Sequence, residues 1–240
     1  MPLPKITTPT YELVLPSTGK KIKYRPFLVK EEKVLILALE SNDVTQITNA
    51  IKTTLKDCIT TRGIKVDELP TFDIEYIFLN VRGKSVGEAI DLVVTCPDDD
   101  ETTVPVKVYI DEIEIQKDKK HKQEIDLDGN LTLKMKYPSL SEFIKNNFDF
   151  SDDESSVEQS FEIVASCIDM VYDKDDVWAA SDCTKKELIA WVETLNTNQF
   201  KMIEEFFATM PKLSHTMKVK NPKTKVESEV TLEGLASFFG

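Results

Sequence analysis

The stretch that settles the fold class is Tyr11-Glu12-Leu13-Val14-Leu15-Pro16-Ser17-Thr18-Gly19-Lys20-Lys21-Ile22-Lys23-Tyr24. Tyr11, Leu13 and Leu15 share one face at a period of two, Pro16 to Gly19 punctuates, and Ile22 and Tyr24 resume the alternation. This predicts a β-hairpin with a four-residue loop. Arg25-Pro26-Phe27 leads on into Glu31–Glu40, where Val34-Leu35-Ile36-Leu37-Ala38-Leu39 is apolar on every side. Such a helix is expected to be buried all round, in the core or in a partner. Val44, Ile47, Ile51, Leu55 and Cys58 recur on one helical face, which Gly63 closes. Phe72–Val81, restarted by Leu69-Pro70, reads as a third helix by length and end signals, with a strand as the alternative. A hairpin followed by three helices makes the chain α+β.

Further along, Ile90, Leu92 and Val94 alternate towards the polar tip CPDDDETT, and Val104, Val106, Val108 and Ile110 alternate back. Pro105 cannot donate to a ladder, so the returning strand is an edge or begins there. Ile125-Asp126-Leu127 and Leu131–Met135 flank the turn Asp128-Gly129-Asn130, a second hairpin; the pattern leaves open whether the hairpins pack as one small antiparallel sheet or decorate separate parts of the helical body. The last hundred residues read as mostly helical. Ser139–Glu142 and Thr184–Glu187 fit capping boxes. One apolar stripe runs Val157, Phe161, Val164, Ala165, Ile168 and Tyr172. Others run Leu188, Trp191, Val192, Leu195 and Ile203, Phe206, Phe207, Met210, the last two expected to pair antiparallel across Asn196-Thr197-Asn198. A hairpin around Asn221-Pro222-Lys223-Thr224 and a closing helix, Leu232–Phe239, complete the reading. The expected architecture is helical bundles with inserted antiparallel β-hairpins, in three sections: 1–88, 89–137 and 138–240.

Composition narrows the chemistry. The 240 residues suffice for a hydrophobic core, and no run approaches the roughly 20 apolar residues of a membrane span. MPLPKITTPT lacks the apolar block of a secretory signal. Cys58, Cys96, Cys167 and Cys183 lack paired spacing and read as reduced intracellular thiols. Net charge is −12, although residues 1–30 hold six bases against Glu12 alone and residues 149–182 hold eleven acids against Lys174. Such acidity disfavours nucleic acid, whose binding rests on phosphate neutralisation, and leaves solvation or steering of protein partners. Seven glycines are too few for phosphate-cradling loops, and two histidines are a poor stock for acid–base or metal work.

The individual motifs fail in turn. Gly83-Lys84-Ser85 resembles the tail of a P-loop, but Phe78 stands where its first glycine belongs. Asp126, Asp128 and Asn130 suggest a calcium loop, but its last position is Tyr137 rather than glutamate. Asp98-Asp99-Asp100-Glu101 at a hairpin tip is better read as solvated. His121 and His215 have no suggestive neighbours, and Cys58 and Cys167 fall on apolar faces. Cys183, just before a helix start, is the one thiol placed for activation; a hydrolase using it, or the pair Glu204/Glu205, is the weakest of the functional readings.

Four segments carry a resemblance in order along the chain: PTYELVLPSTGKKIKYRPFLVKEEK (9–33), LPTFDIEYIFLNVRGKSVGE (69–88), ASDCTKKEL (180–188) and TLEGLASFFG (231–240). Together they resemble the baseplate hub proteins of T4-like contractile-tailed phages. The resemblance implies a non-enzymatic hub-assembly protein that binds other phage baseplate hub proteins in the host cytoplasm during tail morphogenesis. A permanent hub subunit in the virion tail baseplate is the alternative. It implies no cofactor; with the acidity and the lack of an apolar span, neither nucleic acid nor a membrane is expected as partner, and a homo-oligomer is compatible with the sequence. Some relatives carry Cys-x-x-Cys pairs in their hairpins, suggesting metal knuckles. This chain has only Cys96 at the first tip and no cysteine in the Lys218–Lys225 hairpin, so no metal is expected.

Candidate partner contacts are the Val34–Leu39 helix, Tyr24, Arg25 and Phe27, which mix aromatic and arginine as interface anchors do, and Phe238 and Phe239. The competing reading is ordinary core packing, with a hairpin-to-helix corner at residues 24–27.

Overall fold

A computed structural model describes residues 6–41, 43–139 and 156–238. Its first hairpin pairs β1 (Tyr11–Val14) with β2 (Lys21–Tyr24), placing Tyr11 opposite Tyr24 and Leu13 opposite Ile22. The turn closes through the Gly19 amide donating to the Leu15 carbonyl, with Gly19 at φ +68°, a conformation natural to glycine. Helices α1 (Val29–Glu40), α2 (Val44–Cys58) and α3 (Thr71–Val86) follow. Asp43 caps α2 by accepting from the amides of Thr45 and Gln46.

It is α3 that is enclosed: Phe72, Ile74, Ile77, Phe78, Leu79 and Val81 are all buried. Of the two fates expected for Val34–Leu39, the core accounts for only part of the run. Only Leu35 and Ala38 of that run face inward, while Val34, Ile36, Leu37 and Leu39 face solvent. One side of α1 is enough to cover its neighbour α2.

Strands β3 (Ala89–Thr95) and β4 (Thr103–Tyr109) form a two-stranded sheet in which Val93 opposes Pro105. Beyond it, β5 (Glu114–Gln116) lies against β10 (Lys212–Lys220), which pairs in turn with β11 (Glu227–Glu233). The remaining strands are β6 (Glu124–Asp126), β7 (Thr132–Met135), β8 (Ile168–Tyr172) and β9 (Val177–Ala179). They make a four-stranded antiparallel sheet in that order. The two central hairpins therefore belong to different sheets, not to one.

Helices α4 (Ser156–Ser166), α5 (Lys185–Glu193) and α6 (Thr197–Thr209) cover the four-stranded sheet. The expected Thr184–Glu187 capping box is present, whereas the Ser139–Glu142 box extends outside the described residues. Three further expectations change. The stripe ending at Tyr172 is broken: the Cys167 amide closes the helix on the Ile163 and Val164 carbonyls, and Ile168–Tyr172 is strand. Leu232 ends a strand rather than opening a helix, and the chain then makes a short 3-10 turn, Leu235–Phe238. α5 packs mainly on α4 rather than on α6.

Two apolar clusters result. The first gathers Leu13, Ile22, Leu55, Ile77, Ile90 and Val108 with Leu213 and Phe238 from the far end of the chain. The second gathers Leu133, Met135, Val164, Ile168, Val192, Ile203 and Phe206. The fold is α+β. No helix among the described residues is long and apolar enough to cross a membrane.

Candidate protein-contact surfaces

The corner after β2 shows how the chain uses the first candidate anchors. Tyr24 is only 2% exposed, and it bridges to Ile59 so that the end of α2 continues the hairpin edge. The Arg25 guanidinium donates from Nη2 to Glu31 Oε1 at 3.0 Å and from Nη1 to the Pro26 carbonyl at 2.9 Å. Glu31, buried at the first turn of α1, also accepts from the Leu28 amide at 2.6 Å and pairs with Lys30 at 3.1 Å. Burial would push the Glu31 carboxyl up, but the bonds from Arg25, Leu28 and Lys30 outweigh it and hold its pKa down at about 2. Tyr24 and Arg25 thus hold the hairpin to α1 and α2.

Phe27 is half-buried, its amide donating to Ser85 Oγ at 3.0 Å. Phe238 is fully buried in the first cluster, and Phe239 lies outside the described residues.

Two of the open clefts are lined mainly by apolar side chains. Beside α1, the residues Phe27, Leu35, Ile36, Leu39, Ile47 and Phe78 line a groove of about 350 Å³. Exposed Ile36 and Leu39 of α1 and Val86 at the end of α3 stand on its rim. A second cleft, of about 430 Å³, opens on the other cluster between β7, β8, β9 and α5, walled by Leu131, Val171, Trp178, Leu188 and Trp191. Trp178 is 49% exposed and its neighbour Val177 more so. Sequence reasoning passed over this pair. Its signal was an apolar Val-Trp step directly after the acidic run Asp173–Asp176, unexplained by any helical stripe.

The two hairpin tips of the first body meet. Asp98, at the β3–β4 tip, accepts from Asn221 Nδ2 at 3.0 and 3.1 Å and from the Thr224 hydroxyl. Asn221, buried at the β10–β11 turn, also accepts from the Lys223 amide at 2.8 Å. Asp99 accepts from the Thr102 amide and hydroxyl, which holds its carboxyl well below the usual range. This donor set does not fit a metal knuckle. Cys96 is the one thiol present, and no group of three or more candidate ligands converges among the described residues. Amide–carboxylate bonds join the tips directly.

The P-loop look-alike is likewise accounted for by packing. Gly83 lies inside α3 with the end of the Ile110 side chain packed against it, and a helix offers no loop to wrap a phosphate. Cys58 is pushed up to about 11 by burial, and Cys183 is the exposed thiol.

These observations describe two bodies bearing apolar surfaces and tied by packing. No curated protein and no solved structure matches the chain. The family model described as T4 bacteriophage base plate protein matches residues 8–240, nearly the whole sequence, with both bodies and the tied hairpin tips inside the match. The chain therefore belongs to the T4 bacteriophage base plate protein family.

Proposed function

We propose that this protein is an assembly factor of the baseplate hub, acting by binding rather than catalysis and holding other hub proteins during tail morphogenesis in the host cytoplasm. The observation that carries the reading is the pair of open apolar surfaces, one on each cluster: the α1 groove and the Trp178–Trp191 cleft. Contiguous exposed apolar surface rimmed by polar residues marks interaction sites, and tryptophan in a half-open cleft is a common interface anchor. A protein with two such faces can bring partners together.

The test is quantitative mass spectrometry of this chain in purified virions beside the infected-cell lysate. Abundance in the lysate with near absence from virions is expected. Copies at a fixed small ratio to a tail-axis protein would instead make it a permanent hub subunit.

A further inference from the structure

The outer face of α1 carries a pattern that fits a second copy of itself. Lys33, Ile36, Leu37 and Glu40 stand at i, i+3, i+4 and i+7, the four positions that form one contact diamond on a helix. All four are exposed, Ile36 at 49% and Leu37 at 54%. Among the described residues, neither Lys33 nor Glu40 forms an ion pair within the chain. They cannot pair with each other, because seven residues at 1.5 Å rise hold them about 10 Å apart along the axis.

Place a twofold axis perpendicular to α1, midway between Ile36 and Leu37. Two antiparallel helices then bring Lys33 level with the second copy's Glu40, and Glu40 level with its Lys33. Ile36 and Leu37 meet their counterparts in the middle. The charges stand at opposite ends of the apolar centre, so the face is complementary to itself only in this orientation; a parallel arrangement would set lysine on lysine and glutamate on glutamate. Val29, also exposed, lies on the same face one turn before Lys33. Isologous twofold contacts are the commonest way that soluble chains associate.

We propose that the protein forms a homodimer through antiparallel packing of α1 on α1, with reciprocal Lys33–Glu40 pairs flanking Ile36 and Leu37. Ile36 also lines the α1 groove, so in the dimer the Trp178–Trp191 cleft is the apolar face left open to hub partners.

The experiment is sedimentation of the full chain over a wide dilution series, for the wild type and for K33E and E40K, with circular dichroism to confirm the fold. The wild type is expected to show two chain masses. Each single variant places only like charges at the pairs and is expected to weaken association by roughly a hundredfold or more. An equimolar mixture of K33E and E40K restores opposite charges at both pairs, so it should recover two chain masses. A wild type that stays monomeric throughout would overturn the proposal. So would single variants that still dimerise, or a mixture that stays monomeric.

Discussion

The Tyr137 ring meets the Phe72 ring edge-on, with centroids 5.0 Å apart and planes at 83°. Phe72 belongs to α3 of the first body, and Tyr137 packs on the second cluster. His121 stacks on Tyr137 and lies 5.1 Å from Phe206 by ring centroids. Its ring nitrogens lie 3.1 Å from Thr209 Oγ1 and 3.0 Å from Tyr137 Oη. The two bodies are thus joined by an aromatic stack with one titratable ring inside it.

That ring makes the junction sensitive to acid. Burial pushes the His121 pKa below its ordinary 6.5, with Asp118 partly opposing. A histidine held neutral in the fold binds its proton more readily when unfolded, so stability is intact above about pH 6.5 and declines as pH falls below it. Urea midpoints should fall between about pH 7 and pH 5. H121Q should flatten that slope, and an unchanged slope would refute the assignment.

Removing Glu31 isolates a guanidinium that is 17% exposed. E31Q should cost about 2 kcal/mol, below the usual toll for a fully buried pair because Arg25 keeps some solvent. The Glu31 contribution is present above the unfolded value near 4.5 and is lost as pH falls towards 2. Chemical denaturation of the wild type and E31Q at neutral and acid pH checks both statements: the gap between them should close in acid.

Asn221 serves two tips at once. N221A removes its bonds to Asp98 and to the turn amide of Lys223, and should cost about 1–3 kcal/mol. Hydrogen exchange should then quicken at residues 96–102 as well as at 221–226. Faster exchange at the second tip alone would show that the cross-tie carries little.

Thiol labelling of the native protein should modify Cys183 first. Cys58, Cys96 and Cys167 are buried, and burial raises the thiol pKa of Cys58 and Cys96. All four should react after denaturation. Early labelling of Cys58 would mean that the Arg25–Glu31 corner opens readily.

The elements legible in the sequence are those whose signal is local. Leu13 opposite Ile22, and the alternations through Val94 and Val108, announce hairpins whose partner strand follows within a few residues. The parts that escaped depend on distant neighbours. Ile168 to Tyr172 continues a helical spacing, and only its pairing with β7 makes it a strand. Three-residue β5 carries no usable periodicity and is defined by Leu213 opposite Ile115. The site reading divided the same way. Tyr24, Arg25 and Phe27 showed their aromatic and cationic chemistry plainly, but exposure decides whether such groups face a partner. Exposure is a property of the packed chain, which sets Tyr24 inside and Ile36 outside.

Leu213 and Phe238 fill the core that Leu13 and Ile22 begin. During synthesis the N-terminal hairpin and its three helices, complete at Val86, must wait for Leu213 and Phe238 before their interior can close, a contact separation that slows folding. Newborn chains would therefore carry this interior uncovered through much of translation. The intervening body, with its own sheet and helices, can settle first and bring the ends of the chain within reach of each other.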